Sequence, residues 1–349
     1  MAEQNLTTSD PSDVTRTTDI IQKADGNGAA SSSMEFYTRC AVVVIGVIGT
    51  ATNALILYAL VVSKQHKKQM LIFNQNVLDL FSSVFLIISY AVMLCNFDLA
   101  RWYGPWLCKL MYGEFFIWVG TNGSIINLGM ITVERYLKVI HSAWSKKNLR
   151  RWMIYVGMAF AWISSIMSNI FLAYETSEVI DGYCYPIMVW KNDVARMVYG
   201  VWYFLSYYDI ILFMFIFCYG RILVAVRRQA KVMAGHSATA SSTAQTKQIK
   251  TNVIKTMVIV SFYFALTWLP LNIYFLISNL NIPVPIRGYY ATMSFAFLYT
   301  CSNPFIYAVK FDPVKEVLVG LMPCKKSSVQ PVGDIPATGN RGLHVTAHN

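Results

Sequence analysis

Apolar runs alternate along the chain with short polar segments that carry Lys and Arg. The runs cover approximately residues 37 to 63, 70 to 95, 106 to 140, 151 to 173, 197 to 226, 253 to 279 and 287 to 309. A bilayer core of ~30 Å needs ~20 apolar residues of helix, so each run predicts one membrane-spanning helix. The third run, Cys108 to Ile140, exceeds that length and closes on Glu134-Arg135-Tyr136, which predicts a tilted helix. Its polar residues Thr121, Ser124 and Asn127 recur every third position and share one face. In lipid such a face must look at other helices or trapped water, so the third helix is expected to be the hub of a bundle.

The polar ends frame this apolar block. Residues 1–34 are rich in Ser, Thr, Asp and Gly and predict a disordered tail, with a glycosylation sequon at Asn5-Leu6-Thr7. They lack the apolar core of a signal peptide, so the first span is expected to serve as its own insertion signal. Beyond the seventh run, Asp312-Pro313 starts a short amphipathic helix at about 312–321 with Val314, Val317, Leu318 and Leu321 on its apolar face. It predicts a helix lying on the membrane surface. Cys324, among Lys325 and Lys326, is a candidate for palmitoylation, with a plain thiol as the alternative. Residues 325–349 predict a second disordered tail.

Composition agrees with an all-α membrane protein: of 349 residues, 55% are hydrophobic and 13% charged, and the mean hydropathy is +0.43. The net charge of +11 raises nucleic acid as a partner, but the basic residues lie in short clusters between spans, the distribution of cytoplasmic loops. Lys64, Lys67 and Lys68, then Lys146, Lys147, Arg150 and Arg151, then Arg227, Arg228 and Lys231 all fall on one side. That side is read as the cytosol, with the amino terminus outside and the carboxyl terminus inside. Acids instead gather outside, as Glu175, Glu178, Asp181 and Asp193 after the fourth run. Neither the seven cysteines nor the histidines have metal-ligand spacing, and no enzyme motif is present.

Particular residues mark these spans. Glu134-Arg135-Tyr136 ends the third, Trp268-Leu269-Pro270 lies in the sixth, and Asn303-Pro304-Phe305-Ile306-Tyr307 lies in the seventh. Asn53, Asn74, Asp79, Trp162 and Tyr219 add to the pattern, as do Cys108 and Cys184. In this order over roughly residues 37 to 324, the chain resembles the rhodopsin-like (class A) G-protein-coupled receptors. The segment Val133 to His141 resembles most the peptide and orphan peptide-type receptors. The resemblance implies a seven-helix bundle in the plasma membrane, an extracellular ligand of peptide type and a heterotrimeric G protein as cytosolic partner. It also implies a disulfide between Cys108 and Cys184, and a coupling and switch set of Glu134, Arg135, Tyr136, Tyr219, Trp268, Pro270, Phe264, Ile125, Asn303, Pro304 and Tyr307.

Two departures bear on shape. Cys108 and Arg135 stand two residues further apart than in most relatives, which implies a bulge or extra half turn in the third span. Ile211 replaces the usual fifth-span proline, which removes the ordinary cause of a bulge there. Two more bear on state: Lys250 stands where an acid often restrains the arginine, and Tyr299 where an asparagine often completes a sodium pocket.

The chemistry of single residues adds to this pattern. Asp79 is a carboxylate in mid-span, where an ionisable group is costly and suggests function. The resemblance implies Ser124 and Asn303 beside it, which makes the three a candidate site for an allosteric sodium ion, and a protonated acid hydrogen-bonded between helices is the other reading. Arg135 stays charged and needs Glu134 or solvent at the membrane edge. Pro270 and Pro304 each remove a helical hydrogen bond and predict hinges. For the ligand pocket the candidates are Glu114, Ile117, Asp209 and Trp268. Ile117 occupies the place where amine receptors carry an Asp, which argues against an amine. Glu114 either pairs with a ligand cation or sits in water at the rim; Asp209 either lines the pocket or is a neutral acid satisfied by a tyrosine. The acids together favour a basic ligand or basic peptide. The alternatives are a small non-amine ligand or a transporter, although no internal repeat is visible. The resemblance also argues against retinal, since Phe297 stands where the Schiff-base lysine would be and the interior of the seventh run holds no lysine.

Overall fold

A computed structural model describes residues 28–95, 97–187, 189–234, 241–280, 282–310 and 312–321. Asn5 and Cys324 lie outside these, as do most of both tails. Seven long helices lie among the described residues: α1 Gly28–Val62, α2 Met70–Leu94, α3 Gly104–Ile140, α4 Arg151–Thr176, α5 from Asp193 to Ala234, α6 Ser241–Asn279 and α7 Ile286–Lys310. Six of them are long and apolar enough to cross a membrane, and α7 has 25 residues, at 1.5 Å each enough for the same thickness. The helices form a bundle in which α7 closes on α1, α2 and α6.

Helix α3 is the hub. It touches α2, α4, α5 and α6, and 72% of its apolar window is buried against at most 44% in α1, α2, α4, α5 and α6. The Thr121, Ser124 and Asn127 face meets α2. Thr121 shares a hydrogen bond of 2.8 Å with Ser82, and Asn127 donates to the Leu71 carbonyl at 2.9 Å and to Gln75 Oε1 at 2.7 Å. Asn74 in turn donates to Asn127 at 2.9 Å and accepts from the Trp162 indole of α4 at 3.2 Å. Small polar groups thus join helices where lipid offers no partner.

Three features depart from the apolar pattern. The first helix starts at Gly28, ahead of the apolar run at 37. Two spans carry a π-turn, Cys108–Tyr112 in α3 and Leu205–Asp209 in α5. The α3 turn agrees with the extra length expected there. The α5 turn forms without a proline at 211, so an inserted residue in the helix suffices to make it.

After α4 the chain makes a hairpin, β1 Glu178–Ile180 with β2 Tyr183–Tyr185, closed by Asp181 (φ 51°) and Gly182 (φ 80°). Two successive positive φ values suit an Asp-Gly turn. Asn192 caps α5 by accepting from the Val194 N–H at 2.8 Å. A short helix, α8 Asp312–Leu321, comes after α7 as expected; Val314 is buried and Val317 and Leu318 pack on the core, whereas Leu321 is exposed.

Candidate functional site

The outer end of the bundle holds a cavity of about 740 Å³. Its floor includes Trp118 of α3 and Trp268 of α6, whose ring centroids lie 6.3 Å apart. Gly182, Tyr183 and Cys184 of the hairpin form part of its cover, and the expected disulfide Cys108–Cys184 fastens that cover to the start of α3.

Glu114 enters the wall because of how α3 is built. After the π-turn, Glu114 takes a left-handed conformation at φ 53°, costly for a residue with a Cβ, and Phe115–Ile140 then runs on as regular helix. The Glu114 carboxyl is buried and accepts from Tyr90 of α2 at 2.6 Å. Ile117, by contrast, does not line the cavity. It is fully buried in the core, and its backbone carbonyl accepts from Ser82 of α2 at 3.3 Å. Neighbouring helical residues differ by ~100° in direction, so Trp118 takes the cavity side instead.

Asp209 is a second correction. It is exposed on the outer face of α5 beside Ile210, Leu212, Phe213 and Ile216, away from the cavity. Tyr203, Tyr207 and Tyr208 fill the inward positions of α5. The acidic outer loop is also less free than its composition suggests. Glu175 binds Lys191 at 2.6 Å and Asp193 binds Arg196 at 3.0 Å; the hydrogen bond to Glu175 raises the Lys191 ammonium above its ordinary pKa. Glu178 and Asp181 are exposed, and none of the four lines the cavity. The charged lining is balanced: Glu35, Arg39, Glu114 and Arg196. The sequence reading missed both arginines and Tyr90, which carry no motif. The hairpin did have a visible signal, Asp181-Gly182 between apolar residues.

Midway down, the predicted cluster is assembled. Ser124 donates to Asp79 Oδ1 at 2.6 Å and Asn303 donates to Oδ2 at 3.0 Å, all three groups being buried. Gln75 donates to Ser124, a partner not foreseen from sequence. Asn303 Oδ1 is buried with no hydrogen-bond partner among the described residues. The set therefore offers oxygen donors with one acceptor unmet, and it fits a hard monovalent cation. Tyr299 packs its ring on Phe264 and Trp268. Ile125 and Phe264 are both buried in this core.

At the inner end of α3, Arg135 lies 3.5 Å from Glu134 and also donates to Gln69, just ahead of α2. Glu134 is shared with Lys138 at 2.5 Å. Gln69 supplies a restraint on Arg135 that the sequence reading did not foresee. Tyr136 packs beside Phe217, and Tyr219 shares a hydrogen bond with Thr132 at 3.1 Å. Pro270 and Pro304 lie inside α6 and α7. The side chains of Tyr307 and Lys250 fall outside the described residues.

Comparison with known proteins gives a consistent picture. The family described as 7 transmembrane receptor (rhodopsin family) matches residues 52–307. The chain is 26% identical over 312 residues to the galanin receptor type 1 of Rattus norvegicus, covering 86% of each chain. It is 28% identical over 224 residues to the neuropeptide Y receptor type 4 of Mus musculus, covering 59% of this chain and 57% of that one. It is 23% identical over 306 residues to the somatostatin receptor type 5 of Bos taurus, covering 83% and 77%.

Proposed function

The chain belongs to the rhodopsin family of seven-transmembrane receptors, and on that premise we propose how its parts work together. It is a peptide-activated G-protein-coupled receptor, in keeping with the galanin, neuropeptide Y and somatostatin receptors it resembles. The amino terminus and the cavity face outward at the plasma membrane, and the carboxyl terminus and Arg135 face the cytosol, as the distribution of Lys and Arg supports. The observation that carries the reading is one unbroken helical stretch, Phe115–Ile140, with Glu114 at its cavity end and Arg135 at the other. Ligand bound against Glu114 and Trp268 favours an arrangement of the bundle in which Arg135 leaves Glu134 and Gln69 and meets the G protein. It shifts the balance by as much as its affinity for the two arrangements differs.

A basic group on the peptide pairs with Glu114, whose carboxyl already holds one hydrogen bond from Tyr90. Asp79, Ser124 and Asn303 would hold a sodium ion, which supplies a positive charge that stabilises the closed bundle and lowers agonist affinity by linkage. The test is a second-messenger screen of cells expressing the receptor against a peptide library. Activation by peptides, lost when Arg135 is replaced by Ala, is the expected result. Normal signalling by a surface-delivered Arg135→Ala protein would overturn the reading.

A further inference from the structure

Four charged side chains line the cavity, and two of them satisfy each other. Arg39 is bound to Glu35 one turn before it on α1, and its second nitrogen donates to the Met93 carbonyl at 3.1 Å. The other two stand on different walls. Glu114 belongs to the α2 and α3 side, held by Tyr90. Arg196 stands one turn before Gly200 of α5, and Gly200 packs against the Asn279 side chain at the end of α6, so Arg196 belongs to the α5 and α6 side.

Arg196 is incompletely partnered. Its Nη2 meets Asp193, but that carboxylate is 71% exposed, so water and salt screen the pair. Its Nε is buried without a hydrogen-bond partner among the described residues, while the residue lines the cavity. An arginine in the lining of a partly enclosed space, paired with a screened surface carboxylate, is suited to a ligand carboxylate, whose two oxygens match the guanidinium fork. Below it on α6, Asn272 is 4% exposed and lines the same cavity.

We propose that the cavity selects an amphoteric peptide, with a basic group at Glu114 and a carboxylate at Arg196. This rests on the peptide-receptor reading above and adds an anionic subsite to it. The carboxylate is either a free carboxyl terminus or an Asp or Glu side chain, and both present the same chemistry to Arg196.

The test is affinity selection on the full-length purified receptor from two pools of random octapeptides, one with free and one with amidated carboxyl termini. The unmutated receptor should retain peptides enriched in both Lys or Arg and carboxylates. Arg196→Gln should lower the enrichment in carboxylates by roughly tenfold or more and leave the basic enrichment unchanged, and Glu114→Gln should do the reverse. Arg196→Lys, which keeps the charge without the fork, should fall between and gives a readout if the Gln variant does not fold. Enrichment confined to the free-terminus pool assigns the terminal carboxylate; equal acid enrichment in both assigns a side chain. Equal carboxylate content in peptides retained by the unmutated, Arg196→Gln and Arg196→Lys proteins would overturn the subsite. Charge-selected peptides that never activate the G protein would instead count against the receptor reading alone.

Discussion

Glu114 and Asp209 are both acids set in apolar spans, and each comes at or just after a π-turn. One ends in the cavity, buried and hydrogen-bonded to Tyr90; the other ends exposed on the outer face of α5 among Ile210, Phe213 and Ile216. The difference lies in helical phase. A π-turn adds a residue and rotates the next part of the helix by ~100° per residue gained, so a carboxylate beyond it can land on either side. In α3 the added turn and the left-handed Glu114 send the acid inward. In α5 three tyrosines, Tyr203, Tyr207 and Tyr208, take the inward positions and leave Asp209 outside.

The largest effect comes from a change that spares both acids. Arg135→Ala should abolish G-protein activation while surface delivery and peptide binding stay near normal, since Arg135 sits at the far end of α3 from the cavity. Radioligand binding beside a nucleotide-exchange assay checks it, and equal loss of binding would mean that the two ends of α3 are not separable. Next, Glu114→Gln should weaken binding of a basic peptide agonist by about 1 to 3 kcal/mol, or roughly fivefold to 150-fold, whereas Asp209→Asn should change it less than about twofold. Equal losses in competition binding would show that both acids face the ligand.

Asp209 should reveal itself in stability instead. An Asp at the centre of a membrane helix costs about 2.5 to 3.5 kcal/mol by insertion scales, so Asp209→Leu should raise the melting temperature of the receptor in lipid nanodiscs. A fall would mean that the carboxylate is held by a partner. The smallest effect is expected at the rim. Neutralising Glu178 and Asp181 together should slow association of a basic peptide a few-fold at low salt and hardly at all at high salt. The same change at Glu175 and Asp193 should do less, because Lys191 and Arg196 already offset them. Stopped-flow association rates at two ionic strengths separate these cases.

Much of this architecture is legible in the sequence because it depends on length and periodicity. The seven runs, the hub face of Thr121, Ser124 and Asn127 and the surface helix at 312–321 come from spacing along regular helices, whereas the cluster of Asp79 with Ser124 and Asn303 is implied by the family resemblance. Phase across irregular backbone is not legible in the same way. The resemblance makes Ile117 a pocket candidate, yet within the regular helix Phe115–Ile140 its neighbour Trp118 takes the cavity side; Asp209, one of whose two readings puts it in the pocket, closes the π-turn of α5 and faces out. Cross-helix partners are hidden for a different reason: Tyr90, Gln75, Gln69 and Arg196 are ordinary residues whose roles appear only when a neighbouring helix is beside them. Gln69 is the most consequential, since it restrains Arg135 where the sequence offers Lys250 in place of an acid.

The inward placement of Glu114 and the outward placement of Asp209 can be measured without any ligand. In a receptor with Cys40 and Cys95 replaced by Ser, Glu114→Cys and Asp209→Cys would each be exposed to a cationic, membrane-impermeant thiol reagent added outside intact cells. Rapid labelling at position 114 and none at position 209 is the predicted result. Labelling at 209 with protection at 114 would contradict the account.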